Sequence, residues 1–532
     1  MNRRHFFQST GVGTIAASSL LPATAAQETN GKQKVKRLLF WDLSKLDYWD
    51  NIELVQGEPT WQEDASYLDP FEDGKRGGNF PVVWKDPESG RWRMVYSVKW
   101  SPYTMMLADS EDGYQWEPLP QPQIEPEGGK LAPNHIHTIP GAGGGGVFVD
   151  WQAADGYPFK VWARQHSSET FANALADSDH YWHELATSEG TKRYMTEGVT
   201  HVSKDGLHWE KAPQYEWDAP GWRPEPPIFV FRHHQKDRYG MMVRPGWGDR
   251  RQCLCFTEGD DFTNWSEPEL LFQPDALDVD APIGMYGMPV MPCGEGYVGC
   301  LWIFHNSSSR PVKSYNNFFG MMDAQLAFSY DGIHWIRGQR KPFIKRNPLG
   351  KPGCLQLRPS SFVETETEVR IYSEAAKSAH GLEKSSQRQT EEPLKTIELH
   401  TVRRDGFMLV RSKGDFGRLQ TKPFTIWEPT FTVNADASYG EMRFQLTDEK
   451  SQPVSGFTFE DSVPLRAKSV FSEPLRWKNE GLEKVVGKVI RLEVELRNAE
   501  LYAFNVPYHF VDAQDLWMLK DGKAIDTSLF DY

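Results

Sequence analysis

Cysteine is scarce in this chain, and so is any long apolar run. The five cysteines, at 253, 255, 293, 300 and 354, form an odd set with no paired C-x-x-C spacing, which excludes a zinc-clip domain and a dense disulfide framework. Cys253 and Cys255 share one face of a strand and read as small buried hydrophobes, and Cys293 and Cys300 flank a hairpin. The most apolar stretch near the start, Val12 to Leu21, is too short and too mild to span a bilayer. Positive charge is also in deficit: 59 Lys and Arg face 73 Asp and Glu, a net charge of -14. That balance excludes the basic face a nucleic-acid partner needs and reads as a solubility feature.

Aromatic residues, by contrast, are abundant, at 13% with 20 Trp among 532 residues. Four of the tryptophans close nearly the same phrase: Asp112-Gly113-Tyr114-Gln115-Trp116, Asp205-Gly206-Leu207-His208-Trp209, Asp261-Phe262-Thr263-Asn264-Trp265 and Asp331-Gly332-Ile333-His334-Trp335. Each follows a short β-like run and precedes another, as a tight turn between the outer two strands of a four-stranded unit would. Asp and Gly suit that turn, and Trp can seal one sheet against the next.

Reading back from each phrase gives the inner strands: 79–84 and 92–97, 147–151 and 159–163, 228–231 and 239–243, 286–291 and 297–304. A fifth unit without the phrase uses 360–363, 369–372 and 397–402, running on to Asp405-Gly406-Phe407. Five such sheets set radially make a five-bladed β-propeller with an axial funnel. Helix is expected only in the leader and in insertions such as 171–185. Past a linker at 412–422, period-two alternation resumes in several runs and predicts a β-sandwich. The fold class is therefore all-β, a five-bladed β-propeller at 36–411 followed by a β-sandwich at 423–532.

Residues 1–26 read as an address. Asn2-Arg3-Arg4-His5-Phe6-Phe7-Gln8 resembles a twin-arginine export motif, and Ala23-Thr24-Ala25 offers a cleavage site. This predicts a periplasmic or secreted mature chain with no integral membrane segment.

The five units, the repeated S-x-D-G-x-x-W phrase and the C-terminal sandwich resemble the glycosyl hydrolase five-bladed propeller superfamily of the family-32 and family-43 type. The family-32 W-x-N-D-P-N-G, R-D-P and E-C motifs are absent, so no catalytic position is carried over. The resemblance implies a carbohydrate substrate and cleavage of a glycosidic bond in a poly- or oligosaccharide. Such cleavage needs two carboxyl groups across the scissile bond.

Carboxylates that could face a funnel are few. Glu225 lies between prolines and near Trp222, and is the candidate acid; a solvated loop carboxylate is the bland alternative. Asp73, ahead of a Gly-rich approach to the first inner strand, is the candidate base, with a turn Asp as its alternative. Glu374 could replace either one or bind a sugar hydroxyl. Asp150, at an inner-strand end, is the third carboxylate that the resemblance implies, though a hairpin Asp explains it equally.

Candidate substrate contacts are Asn79, His135, His137, Arg244, Trp247, Tyr286, His305 and His380. His135 and His137 share a strand face, but two His without a third ligand do not make a metal site. No cofactor is predicted, a divalent metal stays open, and oligomeric state is not readable. Two other classes fit the same residues: a non-catalytic glycan-binding propeller, and a glycoside phosphorylase using Arg244, Arg250 and Arg251.

Overall fold

The computed structural model describes residues 36–70, 78–99, 102–166, 196–212, 225–233, 236–244, 252–257, 262, 264–278, 283–306, 320–380 and 395–523. Of the expectations above, the leader at 1–26 and the helical insertion at 171–185 lie outside them. Among the described residues strand dominates, with one short α-helix at Ala513–Lys520. The chain divides into two units, residues 55–409 and a second built from the segments before and after them.

The first unit is a propeller. Four blades begin with the antiparallel sequences Asn79–Lys85, Trp92–Lys99, Tyr103–Ser110; Ala142–Val149, Phe159–His166, Thr196–Ser203; Glu225–His233, Arg238–Arg244, Gln252–Phe256; and Ile283–Gly287, Gly296–Asn306, Gly320–Ser329, the last bridged in parallel to the fifth blade at Met322 and Gln356. A fifth consists of Gln356–Glu364, Glu368–Ala376 and Lys395–Arg403.

Neighbouring blades meet all the way round. Trp84 packs on Phe159 at 5.1 Å, Phe229 packs on Trp302 at 5.3 Å, and Trp302 Nε1 donates to Pro359 O at 2.9 Å. Between the second and third blades, Gly146 is needed because a Cβ there would stand 2.7 Å from Ile228 O. The ring closes where Val83 N donates to Ser361 Oγ at 3.0 Å.

The fifth blade takes its fourth strand from earlier in the chain. Thr60–Trp61 fills that place and pairs with His400 and Thr401. The closing strand thus comes from the start of the unit, so the last blade is pinned by the first residues of the propeller. Trp61 Nε1 adds a 2.8 Å bond to buried Glu398, whose carboxyl is raised by burial against the lowering effect of its Ser66, Thr396 and Trp61 donors.

The repeated phrase behaves as its residues dictate. In the first, second and fourth copies the Asp Oδ1 accepts two backbone N–H groups beyond it, at 2.7 to 2.9 Å, and the preceding Ser Oγ accepts the Gly N–H. The three glycines have φ of +78°, +77° and +72°, a region where a side chain is strained. Trp209 and Trp335 each return Nε1 to the Gly carbonyl.

In the second unit the boundaries differ from those read in the sequence. Lys36–Leu39 pairs with Ala503–Val506, and Leu46–Asp50 pairs with residues 418–421. Residues 36–54 therefore belong to the sandwich, and the propeller begins near Val55. A six-stranded and a five-stranded sheet face each other. Their core joins Val433, Leu501 and Phe504 to Leu419, Phe444 and Val494, the apolar halves of the alternating strands. The five cysteines are buried and form no disulfide, as small hydrophobes would.

Candidate functional site at the blade mouths

In each blade the inner strand starts, and the second strand ends, at one end of the propeller, called the mouth here. Asn79 pairs with Ser97, Glu225 with Arg244, Ile283 with His305, and Arg358 with Glu374. A funnel lined by these residues is where a ligand would meet several blades at once.

The first, third and fourth blades meet in aromatic packing. A bulge between Asn79 and Val82 puts Phe80 at φ +48°, and its ring stacks on Trp302 of the fourth blade at 6.2 Å and 11°. Phe229 abuts the same Trp302. Gly287 lets Pro227 come close, since a Cβ would stand 2.7 Å from Pro227 Cγ. Positive φ for a bulky residue costs about 1–2 kcal/mol, and burial of the Phe80 ring among aromatics offsets it.

A charged cluster joins the fifth and first blades at their mouth ends. Glu374 is 1% exposed and pairs with Arg358 and, at 2.7 Å, with Lys395 Nζ. Lys395 Nζ also donates to Asn79 Oδ1 at 2.7 Å, and Asn79 Nδ2 to Ser97 O at 2.9 Å. Tyr103, at the head of its strand, has its phenol pushed up first by burial and then by the Glu374 charge. Glu374 Oε2 is buried and accepts no hydrogen bond among the described residues, an expensive condition unless a water or ligand group supplies the donor.

On the opposite wall, the Arg244 guanidinium lies 4.1 Å from the centre of the Tyr286 ring. Tyr286 Oη shares a 3.1 Å hydrogen bond with His380 Nε2, and both rings touch Phe304. A register shift between Met285 and Gly287 turns the strand at Tyr286. His305 Nε2 pairs with Asp323 Oδ2 at 3.0 Å.

The expected site residues therefore separate. Asn79, Arg244, Tyr286, His305, Glu374 and His380 occupy the mouth ends, and Glu225 opens the third inner strand there. Asp73 and Trp247 lie outside the described residues, as do Trp222, Arg250 and Arg251. Asp150 is at the far end of its blade, because it follows the last residue of an inner strand; it accepts Tyr239 Oη at 2.8 Å and Arg232 at 3.1 Å.

His135 and His137 also leave the funnel. They lie on residues 135–139, which pair with Tyr103–Met106 beside the first blade. His135 is fully buried against Thr138. His137 bonds His201 at 3.0 Å and stacks on Trp209. Burial, then the neighbouring imidazoles, hold His137 down to about 3; burial, then Lys211, hold His201 to about 4. No group of three or more His, Cys, Asp or Glu suited to a metal occurs among the described residues.

Arg358, Lys395, Tyr103 and Asp323 were missed by sequence reading. A signal existed for Asp323: it is the single charge in the mostly apolar strand Gly320–Ser329, and a buried charge needs a partner.

No family model matches the chain, and no curated protein matches it. Among solved structures it is similar to an N-acetylgalactosamine deacetylase from F. plautii in complex with blood group B trisaccharide, at 15% identity over 66% of this chain and 96% of that one, TM-score 0.41. It is also similar to the GH43 BlXynB protein of Bacillus licheniformis (10% identity, 83% and 99% covered, TM-score 0.38). A third is the catalytic domain of a Coprinopsis cinerea GH62 alpha-L-arabinofuranosidase (11%, 65% and 98%, TM-score 0.38). Likenesses this remote bring no reaction with them.

Proposed function

We propose that the protein is an exported carbohydrate-active enzyme, a glycoside hydrolase that cleaves a poly- or oligosaccharide at the propeller mouth. The observation that carries this reading is the mouth itself: Asn79, Arg244, Tyr286, Arg358, Glu374 and Lys395 come to the mouth ends of four different blades. Several hydrogen-bonding groups converging from different blades, with the Tyr286 ring beside Arg244, suit the hydroxyl edges of a sugar.

Within this reading Glu225 delivers the proton to the leaving oxygen. Its strand start stands in register with Arg244 at the mouth end of the third blade. Glu374 Oε2 accepts a substrate hydroxyl, since two cations already occupy its partner oxygen. That same twofold pairing favours the second reading, a propeller that binds glycan without cleaving it.

Digestion of a polysaccharide and aryl-glycoside panel by purified mature protein separates the two. Release of reducing ends that disappears in Glu225→Gln is expected. Binding without products would leave the non-catalytic reading. Export rests on Arg3 and Arg4: changing both to Lys should retain precursor in the cytoplasm, and unchanged export would remove that part of the proposal.

A further inference from the structure

The His305 and Asp323 pair has no place in a scheme built on two carboxyl groups, yet it has the construction of a catalytic dyad. His305 is the next-to-last residue of the second strand in the fourth blade, at the mouth end. Asp323 lies diagonally from it on the third strand, in register with Ile303, 5% exposed, with Oδ2 3.0 Å from His305 Nε2. The imidazole itself is 30% exposed.

A carboxylate can only accept, so the neutral ring carries its proton on Nε2 and its lone pair on Nδ1. Nδ1 has no partner among the described residues. A base with one nitrogen fixed by a buried acid, the other without a partner among the described residues and the ring part-exposed at the mouth end of its strand is oriented in advance for proton transfer.

We propose that His305, positioned by Asp323, is the proton acceptor of the mouth, activating the water that attacks the anomeric carbon. The inference rests on the glycoside hydrolase reading. In the step, the water oxygen forms a bond to the anomeric carbon while its proton passes to Nδ1. The glycosidic C–O bond breaks, and the leaving oxygen takes the proton of Glu225. The imidazolium formed on His305 is balanced by the Asp323 carboxylate, and the attack comes from the face opposite the departing group, so the configuration inverts. Asp323 touches only the imidazole and acts as a positioning residue.

His305→Gln should lower kcat at least about 100-fold on the best glycoside of the panel while moving KM less than about threefold. His305→Gly should regain part of that loss with added imidazole, which a purely structural histidine would not. Asp323→Asn should match the loss in kcat, because its amide donates toward Nε2 and shifts the proton to Nδ1. A His305→Gln enzyme with kcat within threefold of the wild type would overturn the proposal and leave the hydrolase reading standing. If the wild type cleaves no glycan, the hydrolase reading itself fails. Labelling with diethylpyrocarbonate tests the open nitrogen without any turnover: modification at His305 is expected, and an unmodified His305 in the native protein would also overturn the dyad.

Discussion

At the far ends of the blades Asp112, Asp205 and Asp331 repeat one arrangement, each carboxylate accepting two backbone N–H groups beside a glycine with positive φ. At the mouth ends nothing repeats: Asn79, Glu225, Ile283 and Arg358 stand in register with Ser97, Arg244, His305 and Glu374. The far-end carboxylates are satisfied locally, within a few residues of chain. The mouth carboxylates depend on residues from other strands of their blades, far from them in sequence or across a turn, and among the described residues Glu374 and Asp323 each keep one buried oxygen without a hydrogen-bond partner. Repetition therefore marks where the chain turns, and irregularity marks where it has been shaped for something else.

The largest effect that would break this contrast is chemical. Glu225→Gln should reduce turnover on natural glycans about 10²–10⁴-fold, since the amide keeps the shape and cannot donate the proton. Aryl glycosides with good leaving groups should be spared. A uniform loss on both substrate types, or none, would take Glu225 out of the acid role.

Next in size is Glu374→Gln. Two cations, Arg358 at 5% exposure and Lys395, lose their shared anion, and breaking a buried pair costs about 3–5 kcal/mol. Urea denaturation should show the loss. A variant of unchanged stability that no longer binds glycan would instead make Glu374 a ligand-reading residue first.

The far ends were legible because their logic is local: Ser, Asp, Gly and Trp at fixed spacing state a turn without any knowledge of the rest of the fold. The closing strand Thr60–Trp61 was not legible. It has two residues and lies far in sequence from the strand Lys395–Arg403 that it pairs with. The sandwich boundary failed for the same reason, since Lys36–Leu39 finds its partner near the other end of the chain. Of the site, Glu374 and Arg244 could be picked by type and strand position. Arg358 and Lys395 are seen only once the fifth blade faces the first. Asp150 misled because an inner strand has an acid-rich hairpin at one end and the funnel at the other, and composition does not say which is which.

The third phrase sharpens the comparison at smaller cost. There Phe262 takes the Gly position at φ +62°, buried against Phe148, Tyr239 and Trp265. Phe262→Gly would relieve about 1–2 kcal/mol of backbone strain but lose a buried ring worth about 3–5 kcal/mol. Net destabilisation of about 2 kcal/mol is expected in chemical denaturation, and a gain in stability would mean that the ring contributes less than the turn.

The smallest effect is read in the pH dependence of stability, and it concerns His137 and His201 beside the second phrase. Both are held neutral by burial, to about 3 and about 4, whereas in the unfolded chain a histidine protonates near 6.5. Below that value the unfolded state binds protons that the native state refuses, so stability falls as pH falls. The loss begins near pH 6.5 and continues to about 4 for His201 and about 3 for His137, and it is absent above 6.5. One such histidine contributes about 1.4 kcal/mol at pH 5.5. His201→Asn should remove one proton's worth of slope between pH 6.5 and 5, whatever it does to stability at pH 8. An unchanged slope would mean that the pair already takes up a proton in the folded protein, and the 3.0 Å bond between the two rings would then join an imidazolium to an imidazole.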